Sequence, residues 1–297
     1  MIWLIGNKGM LGSQIERLLA REGVETVSSD RDVDITDSAA LRAFAEGKKI
    51  GWIINCSAYT AVDKAESEEE LARKINAQGV GNIAAVAESI GAKVIHFSTD
   101  YVFDGSAGHT WKETDEPSPL SAYGRTKLEG ETLLRKGCPK HFILRISWLY
   151  GIFGPNFVKT MVRLMKEKDQ ISVVNDQVGS PTFCGKLAEN VVNLVKSDSE
   201  SYGTYHYSDE GVISWYDFAC RIQEIAFARR ILSRRIPVNP IPTSAYPSPA
   251  KRPANSAFDK AKVKSLLGFD VRKWNENLEI YFAEWVASEP GLVISKA

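Results

Sequence analysis

Short apolar runs alternate with longer stretches of helical periodicity through the first half of the chain. Ile2-Trp3-Leu4-Ile5, Trp52-Ile53-Ile54-Asn55-Cys56, Lys93-Val94-Ile95-His96-Phe97 and His141-Phe142-Ile143-Leu144-Arg145-Ile146 are almost continuously apolar. That is the pattern of strands buried on both faces of a parallel sheet. Glu25-Thr26-Val27-Ser28, ending at Asp30, reads as another strand. Between these runs, Leu11, Ile15, Leu18 and Leu19, then residues 39–44, then Ile75, Gly79, Ile83, Val86 and Ile90 recur at the spacing of one helix face. Strands alternating with helices predict an α/β fold, a Rossmann-type doubly wound parallel sheet.

Residues 62–70 read as an acidic surface helix, and 102–119 as a loop rich in Gly, Asp, Glu and Pro that leads into a helix carrying Tyr123 and Lys127. After Gly151 the rhythm loosens. Helices are expected over 157–166, 215–225 and 275–286, strands over 171–174 and 203–207, and a polar loop over 175–182. A helix over 186–195 presents Leu187, Val191, Leu194 and Val195 on one face, and is expected to pack back on the sheet. The pattern predicts a dinucleotide-binding domain over 1–150, joined by the helix near 184–197. A smaller α/β substrate domain is expected to take up most of 151–297.

Composition narrows the partners. The 37 basic and 37 acidic residues cancel, so there is no electrostatic case for nucleic acid or an anionic membrane. Arg229, Arg230, Arg234 and Arg235 cluster without an aromatic stacking platform and read as a solvated face. No apolar run approaches the length of a membrane span, and the first strand begins at Ile2, so neither a membrane anchor nor a signal peptide is expected. Cys56, Cys138, Cys184 and Cys220 lack paired metal spacing, and His96, His109, His141 and His206 are scattered. Reduced thiols, a cytoplasmic location and no metal site follow as expectations. His96, inside a strand, reads as a packed core residue.

Three stretches carry candidate chemistry. Gly6-Asn7-Lys8-Gly9-Met10-Leu11-Gly12 lies where the first strand meets the first helix, and glycines there let backbone amides approach a diphosphate at the positive end of the helix. Asp30 closes the second strand, where an acid accepts from an adenosine ribose, but Arg31 beside it suits a 2′-phosphate. NADH and NADPH both stay open. Asp34 and Ile35 are placed to cover the adenine, with Asp37 or Thr36 as a helix cap. Ala58, Tyr59 and Thr60 follow the third strand, and Ser98, Thr99 and Asp100 follow the fourth.

In Ser121-Ala122-Tyr123-Gly124-Arg125-Thr126-Lys127 a tyrosine and a lysine share one helix face. A free phenol has a pKa of about 10, and lowering it by about three units takes roughly 4 kcal/mol. A cation about 4 Å away at an effective dielectric of about 20 supplies that order of energy, so Lys127 is expected to tune Tyr123 as an acid or base. The same spacing is also common in plain surface pairs. The glycine-rich start and Ser98-Thr99-Asp100-Tyr101 favour the chemical reading.

These motifs resemble the extended short-chain dehydrogenase/reductases: Gly6-x-x-Gly9-x-x-Gly12, Ser98-Thr99-Asp100-Tyr101-Val102-Phe103-Asp104-Gly105 and Tyr123-x-x-x-Lys127. The resemblance narrows with Thr60-Ala61-Val62-Asp63-Lys64-Ala65-Glu66, Ser147-Trp148-Leu149-Tyr150, Asn175-Asp176-Gln177, Gly179-Ser180-Pro181-Thr182, Pro242-Thr243-Ser244-Ala245-Tyr246-Pro247 and Arg252-Pro253-x-Asn255-Ser256. These are similar to the branch that reduces the 4-keto group of dTDP-4-dehydro-L-rhamnose to dTDP-L-rhamnose for surface polysaccharide.

The resemblance implies NADPH or NADH as cofactor and a dTDP-linked 4-keto-6-deoxy sugar as substrate. Thr99, Tyr123 and Lys127 would be catalytic. Gly6, Gly9, Met10, Leu11, Asp30, Asp34, Ile35, Ala58, Tyr59, Thr60, Tyr123 and Lys127 would hold the cofactor, and Thr99, Asp100, Trp148 and Arg252 the substrate. Some members bridge subunits with magnesium held by glutamates; Gln14 and Gly185 stand at the best-matching places here, so a homodimer, if formed, is expected without that metal. Another nucleotide-sugar 4-ketoreductase, related enzymes that epimerise or dehydrate nucleotide sugars, and a non-catalytic regulatory relative are the alternatives. The last would be expected to lose Tyr123 or Lys127, and both are present.

Overall fold

Six parallel strands make the sheet around which the chain is built. In the computed structural model, described over residues 1–293, the elements run β1 (Ile2–Ile5), α1 (Met10–Arg21), β2 (Thr26–Ser29), α2 (Ser38–Ala45), β3 (Trp52–Asn55), α3 (Val62–Ala65), α4 (Glu69–Arg73), a π-helical turn (Lys74–Gly79), α5 (Val80–Ile90), β4 (Lys93–Thr99), α6 (Ala122–Gly137), β5 (His141–Ile146) and β6 (Leu149–Tyr150). They continue as α7 (Phe157–Glu167), β7 (Ile171–Val174), β8 (Val178–Gly179), β9 (Thr182–Phe183), α8 (Cys184–Lys196), β10 (Gly203–Tyr207), β11 (Ile213–Ser214), α9 (Trp215–Ala228), β12 (Val238–Ile241), α10 (Ala261–Leu267) and α11 (Trp274–Ser288).

The sheet order is β10-β5-β4-β3-β1-β2, with every pairing parallel. Alternate residues of each strand face opposite sides. Ile2, Leu4, Ile54 and Ile95 pack with Leu11, Ile15 and Leu18 of α1 and with Leu187, Val191 and Leu194 of α8. Trp3, Ile5, Ile53 and Val94 pack with Leu41 of α2, Val80 and Ile83 of α5, and Leu134 of α6. The face of α8 expected to return to the sheet does so. A second core, beside the sheet, gathers Tyr150, Val158, Met161, Phe218, Ile222, Leu278, Tyr281 and Phe282.

Several boundaries differ from the pattern-based expectation, each for a local reason. The sixth strand, β10, comes from beyond residue 151 and pairs with β5, because Tyr205 and Tyr207 bury fully in the α8 layer. The acidic helix over 62–70 is two short helices, α3 and α4. The helix through Ile75 opens with the π turn, which buries Asn76 and Gly79. There a Cβ on Gly130 would lie 2.0 Å from the Asn76 carbonyl oxygen, so α6 approaches this turn as only glycine permits. The polar loop over 175–182 contains β8 and enters β9 at Thr182.

Candidate functional site

A cleft of 890 Å³ opens beyond the carboxyl ends of β1, β2 and β3, beside the point where the strand order reverses between β1 and β3. Open α/β sheets hold their ligands at such a point. Gly6, Lys8, Gly9, Asp30, Arg31, Asp34, Ile35, Ala58, Tyr59 and Thr60 line it. Gly6 has φ +77°, and a Cβ there would stand 2.8 Å from the Ser57 backbone nitrogen. A Cβ on Gly12 would come within 2.1 Å of the Gly6 carbonyl oxygen. The turn therefore closes tightly onto α1, whose N-cap, Gly9, supplies no side-chain cap. The exposed amides at this helix end suit a diphosphate. Leu11 itself is 5 % exposed and sends its side chain into the sheet core, which leaves only its backbone facing the turn.

The far end of the cleft is polar. Asp30 and Arg31 both border it. Asp34 accepts from the backbone and hydroxyl of Thr36, both at 2.8 Å, and these bonds hold its carboxyl below the usual carboxylate range. Asp37 is the cap of α2, accepting from Ala39 and Ala40 at 2.8 and 3.2 Å. Tyr59 is pinned through its backbone by the Asn76 side chain, which accepts from the Tyr59 N–H at 2.9 Å and donates to its carbonyl at 3.1 Å. Asn76 also reaches Thr126 of α6 at 3.3 Å. The sequence reading passed over Asn76; its signal was a lone amide on the apolar face of a long helix.

Tyr123 sits in the first turn of α6, which Ser121 caps through the Gly124 amide at 3.2 Å. Its ring meets Tyr101 edge-on, with centroids 5.5 Å apart. Burial, then the charge of Asp100, pushes the phenol well above its usual pKa, against a weaker opposing interaction with Thr99. Lys127, expected to lower it, is not among these influences. Tyr123 is therefore a neutral phenol here. The Lys127 ammonium donates to the Phe97 carbonyl at 2.6 Å and lies 3.4 Å from His96 Nε2. Thr99 donates to Asp100 Oδ1 at 2.9 Å. Asp100 is 3 % exposed, and burial raises its carboxyl to about 6.

Beneath this wall lies a buried ion network. Glu131 accepts from Ser98 at 2.5 Å, from Arg145 Nε and Nη2 at 2.9 and 2.8 Å, and from Arg135 at 2.5 Å. Burial alone would raise the Glu131 carboxyl, but Arg145 and Arg135 outweigh it and keep the group ionised. A buried charge with every lone pair engaged is costly to break, so the network anchors α6 to β4 and β5 behind Tyr123.

Just beyond β5, Trp148 has φ 47°, an uncommon backbone for a bulky residue and one typical of functional positions. Its ring stacks on Trp215 at 3.6 Å, and a Cβ on Gly179 would reach it at 2.9 Å. Arg252 reaches from the proline-rich segment to Asp63 and to the Tyr101 hydroxyl, 2.9 Å away. The structure thus gives Arg252 an ion pair, the other role such a residue commonly takes. Gln14 is buried on α1, and a Cβ on Gly185 would lie 2.5 Å from the Phe183 ring, so neither place offers a carboxylate. No helix among the described residues is long and apolar enough to cross a membrane.

Comparison with known proteins adds to this geometry. The RmlD substrate binding domain family matches residues 1–286. The chain is 40 % identical over 282 residues to the dTDP-4-dehydrorhamnose reductase of Aggregatibacter actinomycetemcomitans, covering 93 % of this chain and 96 % of that protein. It is similar to the crystal structure of a dTDP-4-dehydrorhamnose reductase from Clostridium acetobutylicum, with a TM-score of 0.90, 43 % identity, and 95 % and 98 % of the two chains covered. The Bacillus anthracis dTDP-4-dehydrorhamnose reductase, solved in complex with NADP, superimposes with a TM-score of 0.89 at 38 % identity, again covering 95 % and 98 %.

Proposed function

Because the chain belongs to the dTDP-4-dehydrorhamnose reductase family, the family of the RmlD substrate binding domain, we propose that it reduces the 4-keto group of a dTDP-linked 4-keto-6-deoxy sugar to give dTDP-L-rhamnose. The observation that carries this reading is the place of the Tyr123 phenol, held at the start of α6 against Tyr101 with ring centroids 5.5 Å apart and beside Thr99 at the end of β4. A protonated phenol at that place can supply the proton that reduction of a ketone needs.

The residues of the cleft fit a nicotinamide dinucleotide. Gly9, Met10 and Leu11 would present backbone amides to the diphosphate, and Gly6 and Gly12 keep the turn tight enough for that approach. Asp30, Asp34 and Ile35 would surround the adenosine, with Ala58, Tyr59 and Thr60 along the other wall. Lys8 and Arg31 stand on the same cleft as Asp30, and their charge favours a 2′-phosphate, as in the relative solved with NADP. Bound there, NADPH or NADH supplies the hydride.

The chain's own groups would do the rest. Thr99 would hold the keto oxygen by hydrogen bond, and Tyr123 would pass its phenolic proton to that oxygen as it becomes an alkoxide. Lys127, buried behind the phenol, would steady the phenolate left behind and bind the nicotinamide ribose. Asp100 and Trp148 would border the sugar, and Arg252 would meet its diphosphate. In this reading residues 1–150, with α8 and β10, hold the cofactor, while most of 151–297 holds the sugar nucleotide, and the enzyme works in the cytoplasm. The test is consumption of NADPH, followed by absorbance, on addition of the dTDP-4-keto sugar. Oxidation in one-to-one proportion with the sugar is expected, and its absence with a folded protein overturns the proposal.

A further inference from the structure

Behind Tyr123 runs a hydrogen-bond chain whose donors do not pair off. Ser57 donates its backbone N–H and its hydroxyl to Asn55 Oδ1, at 3.0 and 2.5 Å. A backbone N–H is a donor at every pH, so this bond determines which end of the Asn55 amide is oxygen. The other end, Nδ2, carries only protons, and it faces His96 Nδ1 at 3.1 Å. His96 Nδ1 must then accept, and a neutral imidazole that accepts at Nδ1 carries its proton on Nε2. An imidazolium would oppose two donors at the same contact, and burial, followed by the charge of Lys127, holds the ring well below its usual pKa.

The protonated Nε2 points at Lys127 Nζ, 3.4 Å away. His96 is 0 % and Lys127 1 % exposed, so neither nitrogen can turn to bulk solvent. We propose that His96 is a positioning residue: locked by Asn55 as the Nε2–H tautomer, it faces Lys127 with a donor and so sets how readily Lys127 gives up its proton. The proposal rests on the reading of Tyr123 and Lys127 as the proton-transferring pair. An N–H aimed at an ammonium disfavours it, whereas the lone pair of an amine accepts from the same N–H.

The other groups near Lys127 leave room for this effect. Glu131, one turn on, favours the ammonium but is shared with Ser98, Arg145 and Arg135. Tyr123 is one turn back, Asp100 and Tyr101 lie at the end of β4, and Arg145 of β5 approaches His206 of β10 at 3.4 Å. Burial lowers the Lys127 pKa to about 8, with Glu131 opposing. His96 is the side-chain nitrogen in hydrogen-bond reach of Lys127 Nζ, so its tautomer adds to the effect of burial.

The test begins with the wild-type chain labelled with 15N, read by long-range imidazole spectra and assigned with His96→Gln. Expected is a His96 ring protonated at Nε2 and bare at Nδ1 throughout pH 6–9. An Nδ1–H tautomer, or titration to the imidazolium in that range, overturns the proposal. The second arm follows Lys127 through its 13Cε shift. Asn55→Asp keeps an acceptor for the Ser57 amide but offers His96 Nδ1 an acceptor as well, so the ring should switch tautomer and accept from Lys127. Proton affinity of Lys127 should then rise about tenfold or more. In Asn55→Asp/His96→Leu the added carboxylate remains and the imidazole is gone, so less than half that rise is expected. No rise in the single variant, or an equal rise in the double, overturns the proposal. Neither arm needs turnover, so a failure of the reductase reading would appear separately, as absent NADPH consumption with the predicted spectra intact.

Discussion

Arg252 closes on Asp63, its Nη2 standing 3.1 and 3.0 Å from the two carboxylate oxygens. Ser248 donates to the same carboxylate at 2.7 Å, so Asp63 ties the proline-rich segment to the wall that carries Tyr101. An incoming diphosphate would take over the guanidinium from Asp63, exchanging one anion for another without stranding a charge. Charge-assisted hydrogen bonds contribute about 1.5–3 kcal/mol, so Arg252→Ala should raise KM for the nucleotide sugar about 10- to 150-fold. The KM for the dinucleotide should hardly change. A sugar-nucleotide KM within about twofold of wild type would place the diphosphate elsewhere.

Tyr123→Phe removes one hydroxyl from a half-buried ring and should leave cofactor affinity intact, while kcat falls by about 10²–10⁴. Lys127→Met should differ. It leaves the Phe97 carbonyl without its 2.6 Å donor and removes the charge proposed to meet the nicotinamide ribose, so turnover and cofactor binding should both suffer. Steady-state kinetics beside direct cofactor titration separates the two patterns. Near-normal turnover in Tyr123→Phe would remove the phenol from the mechanism.

Asp30 borders the cleft together with Arg31 and Lys8. If its carboxylate accepts from ribose hydroxyls, Asp30→Ala should weaken NADH more than NADPH, because a 2′-phosphate gains from losing the acid what it loses in hydrogen bonding. The readout is the ratio of the two KM values in each protein. An unchanged ratio would assign the choice to the neighbouring cations.

Asp100 affects stability with a sign that can be worked out. Burial raises its folded pKa from 3.8 to about 6, so the folded chain holds this proton more tightly than the unfolded one. The favourable contribution is present at low pH and is lost as pH rises through about 6. A shift of about two units corresponds to about 3 kcal/mol at most. Asp100→Asn should therefore unfold at higher urea than wild type at pH 8, with little difference at pH 3, below the unfolded pKa, while turning over more slowly. Equal midpoints at pH 8 would mean that Asp100 ionises without penalty.

The sheet was legible because its strands are buried on both faces and read as unbroken apolar runs: Ile2–Ile5 and Trp52–Asn55 are buried at every position. The glycine turn was legible for a related reason, since Gly6 and Gly12 occupy places where a Cβ would overlap backbone. What escaped depends on partners distant in sequence. A helical spacing of four puts Tyr123 and Lys127 on one face, but the Phe97 carbonyl, thirty residues earlier, decides where the ammonium points. Asn76 sits in a π turn that no periodicity reveals, and its partners are Tyr59 and Thr126. The membership of β10 in the main sheet likewise depends on β5, far back along the chain.

The central claim, that Tyr123 and its neighbours serve reduction of a sugar ketone, meets its most direct test in the product. The purified chain, a dTDP-4-keto-6-deoxy sugar and NADPH are incubated together, and the sugar is followed by proton NMR. The account predicts loss of the keto sugar and growth of dTDP-L-rhamnose in step with NADPH oxidation, with NADH as the comparison cofactor. A keto sugar recovered unchanged, or epimerised with no nicotinamide consumed, would contradict it.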